Sequence, residues 1–400
     1  MKQAGHPPLY CALALAATLI LATGCAAPRD TAKGCPKPGD WISPATAGVL
    51  TPRAVLNAAS RNRIVLLGES HANKEHHLWQ AYMLAALHAR NPKLVVGFEM
   101  FPRAAQPVLD DWSRGALGEK AFLEKSDWNR VWSFDVALYR PLLHFPRQHR
   151  LKMIALNVER ALVSRVGREG WQAVPKSERH GLGDPAPASR AYRRALLEVF
   201  AARAHSGKTQ GKPDPEETLK STAFNRFVDA QLTWDRAMAE ALAQASRAQP
   251  DALIVGIVGS GHIRNHHGIP HQLADLGIND DSVLFAVESD EACGAPDATL
   301  ADALFVVAPD DETATAPARP RLGVMIADAG DGVRVRRVLP GTVAAEAGLK
   351  DGDIILSAAG FAVRKTTELI EIILRQAPGT WLPLRVRRGD AEIDAVARFP

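Results

Sequence analysis

Ile64-Val65-Leu66-Leu67-Gly68-Glu69-Ser70-His71 runs from an unbroken aliphatic segment into a glycine, a carboxylate and an imidazole. An uninterrupted leucine and β-branched run signals a strand buried on both faces, because a strand with one wet face alternates apolar and polar residues. Counting the run as Arg63 to Leu67, four more follow at Leu94 to Phe98, Lys152 to Leu156, Leu253 to Val258 and Val283 to Val287. Long helical patterns lie between them. The succession predicts an α/β domain with a parallel sheet flanked by helices.

In open sheets of this kind ligands bind at the carboxyl ends of the strands. The first run ends in Gly68-Glu69-Ser70-His71, the second in Gly97-Phe98-Glu99, the third in Asn157, and the fourth in Gly259-Ser260-Gly261-His262. Each residue alone has an ordinary structural use: a carboxylate caps a helix, an amide bridges loop backbones. Their coincidence on one rim, with G-x-x-H occurring twice after an apolar run, points to a shared site. Imidazole with carboxylate suits a divalent Zn, Mn or Fe ion held by Glu69, His71, Glu99 and His262, with glycines turning the backbone so that the histidines face inward. The same four residues suit acid-base chemistry without metal. No G-x-S-x-G nucleophile motif is present. His76, His77, His266, His267 and His271 read as mostly solvated.

The remainder bounds the answer. A chain of 400 residues, 46% hydrophobic and 23% charged, is neither disordered nor fibrous. The 48 basic residues stand against 44 acidic ones and are scattered, so no nucleic-acid partner is expected. Residues 1–24 read as an export signal: Lys2 precedes an uncharged run, Leu9 to Ala22, too short to span a bilayer comfortably. The Leu21-Ala22-Thr23-Gly24-Cys25 segment resembles the lipobox of bacterial lipoproteins. That resemblance implies cleavage after Gly24 and lipid on Cys25, and Ala26 in place of Asp directs the protein to the outer membrane, facing the periplasm. Residues 25–40 read as a tether, 41–308 as the site-bearing domain, 309–320 as a linker and 321–400 as a second domain. His205 to Pro215 reads as a surface loop. Cys35 and Cys293 remain, either as one disulfide or as two unrelated thiols.

The two G-x-x-H blocks, with Glu75-His76-His77, Gln80, Gly97-Phe98-Glu99-Met100, Ala155-Leu156-Asn157, the Gln231 to Ala239 segment and Gly268-Ile269-Pro270, resemble the ChaN family of haem-binding, iron-regulated lipoproteins. The resemblance covers roughly residues 41–308. It implies a haem-binding role in iron uptake, a homodimer enclosing stacked haems and a tyrosine axial ligand. Tyr82, Tyr139 and Tyr192 are the tyrosines of the mature chain; Tyr139 is the candidate ligand, with Asn157 and Asp235 beside the cofactor. The family is grouped with TIKI metalloproteases and erythromycin esterases, which implies a rival metal-dependent hydrolase using Glu69, His71, Glu99 and His262. Asp235, three residues before Met238 on a helical pattern, would then support the site.

Residues 321–400 resemble a bacterial PDZ domain, through Arg321-Leu322-Gly323-Val324, Pro340-Gly341, Ala347-Gly348-Leu349 and Gly352-Asp353-Ile354-Ile355. The resemblance implies a small β-rich fold that takes a peptide or protein carboxyl terminus at the Gly323 loop and adds it as a strand. Leu322 and Val324 then line the groove, with Leu369 and Ile373 opposite. A scaffold acting only through this groove is the non-enzymatic alternative.

Overall fold

The computed structural model describes residues 35–132, 134–205, 214–294, 296–309, 320–377 and 379–399. The export signal, Cys25, most of the tether, nearly all of the linker and residues 206–213 lie outside the described residues. The chain divides into two compact units, residues 1–308 and 309–400. Among the described residues no helix is long and apolar enough to cross a membrane.

Among the described residues the first unit holds eight strands: β1 (Trp41–Ile42), β2 (Val49–Leu50), β3 (Ile64–Glu69), β4 (Leu94–Pro102), β5 (Lys152–Asn157), β6 (Leu253–Gly259), β7 (Asp281–Glu288) and β8 (Ala303–Val307). Their order across the sheet is β2-β1-β8-β7-β3-β6-β4-β5. All neighbours from β8 to β5 run parallel, and β1 adds to β8 antiparallel, with β2 antiparallel to it. The five aliphatic runs are thus the parallel centre. Absent from the expectation was the edge, because a two-residue strand has no periodicity to read.

Burial explains the unbroken runs. Along β3, Val65 and Leu67 enter one core and Ile64 and Leu66 the other. Helix α1 (Lys74–His88) and helix α2 (Val136–His149) fill the first core with Trp79, Met83, Leu84, Leu142 and Leu143. Helix α3 (Arg160–Glu169) and helix α4 (Arg190–His205) follow. Helix α5 (Thr222–Ala248) and helix α6 (Ile269–Asp275) supply Met238, Leu242, Ile269 and Leu273 to the second core. The helices are started locally: Asn73 accepts from the His76 N–H at 3.1 Å and Ser221 from the Phe224 N–H at 3.2 Å, each satisfying a donor the first turn leaves open. Cys35 and Cys293 form a disulfide across 258 residues, with their Cα atoms 5.0 Å apart.

The second unit is an antiparallel sheet of β9 (Val324–Asp328), β10 (Val333–Val338), β11 (Ile354–Ala358), β12 (Phe361–Ala362), β13 (Trp381–Arg388) and β14 (Ala391–Arg398), with helix α7 (Thr366–Leu374). Its order is β14-β13-β11-β10-β9, with β12 on β11. Gly323 has φ +81, and a Cβ there would meet Thr342 at 2.2 Å, so the residue before β9 has to be glycine. Leu322, Leu369 and Ile373 are buried in the core of this unit. They pack beneath the surface instead of lining an open wall, which corrects the expectation. The apolar side chains α7 exposes are their helical neighbours Ile370 and Leu374, while Val324 and Ile326 of β9 are half-buried.

Candidate functional site

The strand order brings the ends of β3, β6, β4 and β5 side by side, so Glu69, His71, His262, Glu99 and Asn157 share one rim. They line a pocket of about 640 Å³, a size usual for a small-molecule site. Its apolar walls come from Met100, Trp132, Phe134, Leu196, Val199 and Trp234, and Arg130 and Arg160 also border it.

Two imidazole-carboxylate dyads form its base. His71 Nδ1 lies 2.8 Å from Glu69 Oε1, and its ring packs edge-on to Trp132 with centroids 4.8 Å apart. His262 Nδ1 lies 2.6 Å from Asp235 Oδ1. Each carboxylate accepts from a buried tyrosine: Tyr139 donates to Glu69 at 3.1 Å, and Tyr192 to Asp235 at 2.8 Å. Between the dyads, Glu99 Oε1 lies 3.6 Å from His262 Nε2, and Glu99 Oε2 accepts from the Gly259 N–H at 2.5 Å. Holding each ring by Nδ1 leaves its Nε2 edge toward the pocket.

Electrostatics follow from this arrangement. Burial alone would raise the Glu69 carboxyl, but hydrogen bonds from His71 and His77 bring it below the ordinary range. Burial disfavours a charged His71, yet Glu69 and Glu99 raise it above the ordinary imidazole value. For His262 burial is again outweighed, by Glu99 and then Asp235, and it is pushed up to about 9. His262 therefore favours the imidazolium form at neutral pH, and His71 is shifted in the same direction.

The glycines of the two G-x-x-H blocks make room and do not turn the backbone. A Cβ at Gly68 would meet the Phe285 ring at 2.2 Å, and one at Gly259 would meet His71 Cε1 at 2.7 Å. Both would force the rim apart.

Several expectations change. Tyr139 is fully buried and hydrogen-bonded to Glu69 and to the His71 carbonyl, its phenol held neutral by burial and by Glu69; it does not face the pocket as an axial ligand would. Asn157 donates to the Glu99 carbonyl at 3.1 Å and accepts from the Val158 N–H at 2.9 Å, so it ties the ends of β4 and β5 together while it borders the pocket. Asp235 supports His262 from behind. The four residues read as metal ligands share the rim, but Glu69 is occupied by two imidazoles and a phenol. Among the described residues no group of three or more His, Cys, Asp or Glu is spaced to hold a metal ion. His77, read as solvated, is fully buried and pairs with Glu69. Its signal was available: His77 and Gln80 are three apart on α1 and share its buried face.

Residues 55–273 match the family model described as haem-binding uptake, Tiki superfamily, ChaN. The chain belongs to the ChaN family. Residues 320–397 match the PDZ domain, so this ChaN-family chain carries a PDZ module. The ChaN protein of Campylobacter jejuni, solved with cofacially bound haem, is 18% identical, with 67% of this chain and 96% of that one covered at a TM-score of 0.53. At that identity the likeness is one of fold. An erythromycin esterase in its open conformation is 12% identical, covers 62% of this chain and 77% of its own, and has a TM-score of 0.37. The serine protease HTRA1 of Xenopus tropicalis is 42% identical over 62 residues, which are 16% of this chain but only 13% of that protease.

Proposed function

We propose that the chain binds haem in the rim pocket, stands on the periplasmic face of the outer membrane through lipid on Cys25, and recruits a peptide or protein carboxyl terminus through its PDZ domain. The pocket itself carries the haem reading: aromatic and aliphatic walls, two histidines with raised pKa at the base and two arginines bordering it. This combination suits a planar apolar ring bearing carboxylates. Trp132, Phe134 and Trp234 would hold the ring faces, and Arg130 and Arg160 the propionates. A haem held there would supply an iron, for which a deprotonated imidazole nitrogen or a phenolate is a donor. Of the two kinds, His71 and His262 border this pocket, while Tyr139 and Tyr192 sit behind Glu69 and Asp235.

Haemin titration of the purified chain tests the reading. Wild type should give a saturable Soret band, and Trp132→Ala or His71→Ala should weaken binding about tenfold or more, since losing a buried aromatic or a charge-assisted contact costs over 1.4 kcal/mol. No saturable band in wild type removes haem from the pocket. Light scattering with and without haemin reports on the homodimer proposed with it.

Metal-dependent hydrolysis by Glu69, His71, Glu99 and His262 is the second reading, favoured by the orientation of each ring through Nδ1, which prepares Nε2 for proton transfer. The raised pKa of His262, about 9, counts against a base role for it at neutral pH and for an anionic ligand. Turnover of ester substrates that His262→Gln abolishes would reverse this ranking. For the anchor, the disulfide supports an oxidising compartment. Cys25→Ser should shift the protein from the membrane to the soluble fraction, and unchanged partitioning would exclude lipid at Cys25.

A further inference from the structure

One pair of imidazoles has no part in the pocket. His88 is the last residue of α1 and His149 the last of α2. Packing of the two helices brings the ring centroids to 4.6 Å, tilted by 54°. Phe145, four residues before His149, touches both rings, with centroids 5.7 Å from His88 and 4.5 Å from His149. Because β5 begins at Lys152, the pair lies at the amino end of the strands, away from the rim.

The surroundings favour a cation. Two helix carboxyl termini end here, and each carries the partial negative charge of its helix dipole. His88 is half-buried and His149 exposed, so both rings reach solvent. Of the next cations along the chain, Arg90 donates to the Ala86 carbonyl at 2.9 Å in the last turn of α1, and Arg150 donates to the Arg114 carbonyl at 3.0 Å.

We propose that His88 and His149 chelate a borderline divalent transition ion, copper(II), nickel(II) or zinc(II), with water filling the remaining positions. Two imidazole nitrogens on one tetrahedral ion stand ~3.4 Å apart, given metal-nitrogen distances near 2.0 to 2.1 Å. Rings whose centroids are 4.6 Å apart reach that span by side-chain rotation, without moving either helix. A nitrogen-only donor pair discriminates against magnesium and calcium, which take oxygen ligands.

Calorimetric titration of the metal-stripped chain with nickel chloride tests the site, run beside His88→Asn, His149→Asn and the control His144→Asn. Wild type and control should share one binding step that both site variants weaken about tenfold or more. Wild-type stoichiometry and affinity in both variants would overturn the proposal. A second measurement needs no variant: substoichiometric copper(II) should broaden the ring-proton resonances of His88 and His149 first. Broadening that begins at other histidines and spares these two would overturn it equally.

Discussion

His262 concentrates the residue-scale physics. Burial disfavours its charge, and Glu99 and Asp235 more than offset that, placing its folded pKa about 9 against an ordinary 6.5. A folded pKa raised above the unfolded one stabilises fully below pH 6.5 and ceases to do so as pH rises through about 9. The contribution is about 3 kcal/mol at the low end of that window. Urea midpoints should therefore fall between pH 6.5 and 9, and Asp235→Asn should flatten the fall and lower the His262 titration midpoint seen by NMR. An unchanged midpoint in Asp235→Asn would remove the dyad from the account. Asp281 acts with the same sign in a lower window, its carboxyl raised to about 6 by burial and by Asp302. It costs stability as pH rises through the range from 3.8 to 6.

At the scale of elements, the strand-to-loop junctions made most of the site legible. A fully apolar run has to be a central strand, and the polar residues directly after it have to reach the carboxyl rim, so Glu69, His71, Glu99 and His262 could be named from spacing alone. The PDZ helix was read less well. Leu369 and Ile373 are one turn apart, as a groove wall requires, but so are Ile370 and Leu374, and periodicity does not say which pair meets the core. If the exposed pair contacts ligand, Ile370→Glu should lower affinity for hydrophobic carboxyl-terminal peptides about tenfold or more in fluorescence anisotropy. Leu369→Ala should instead act through stability, as a cavity costing 2–5 kcal/mol. Equal peptide binding by wild type and Ile370→Glu would place the ligand elsewhere.

For the whole molecule, the disulfide joins the segment before β1 to the helix after β7 and closes a loop of 258 residues. A crosslink over so long a loop removes much of the freedom of the unfolded chain. Cys293→Ser should cost about 2–5 kcal/mol in denaturant unfolding. Identical midpoints for oxidised and reduced wild type would show that the crosslink contributes no stability.

By itself the sequence determined what is local: which runs are buried strands and which residues follow them. Tertiary structure alone decided which groups touch. Tyr139 meets Glu69 across 70 residues, Tyr192 meets Asp235 across 43, and the Gly259 amide meets Glu99 across 160. Those contacts set His71 on Glu69 and His262 on Asp235 as two supported imidazole-carboxylate dyads with Glu99 between them, and they withdraw Tyr139 from the pocket. Periodicity is a one-dimensional signal, and it fixes faces. Partners are fixed by the strand order of the folded sheet, which sets β6 between β3 and β4.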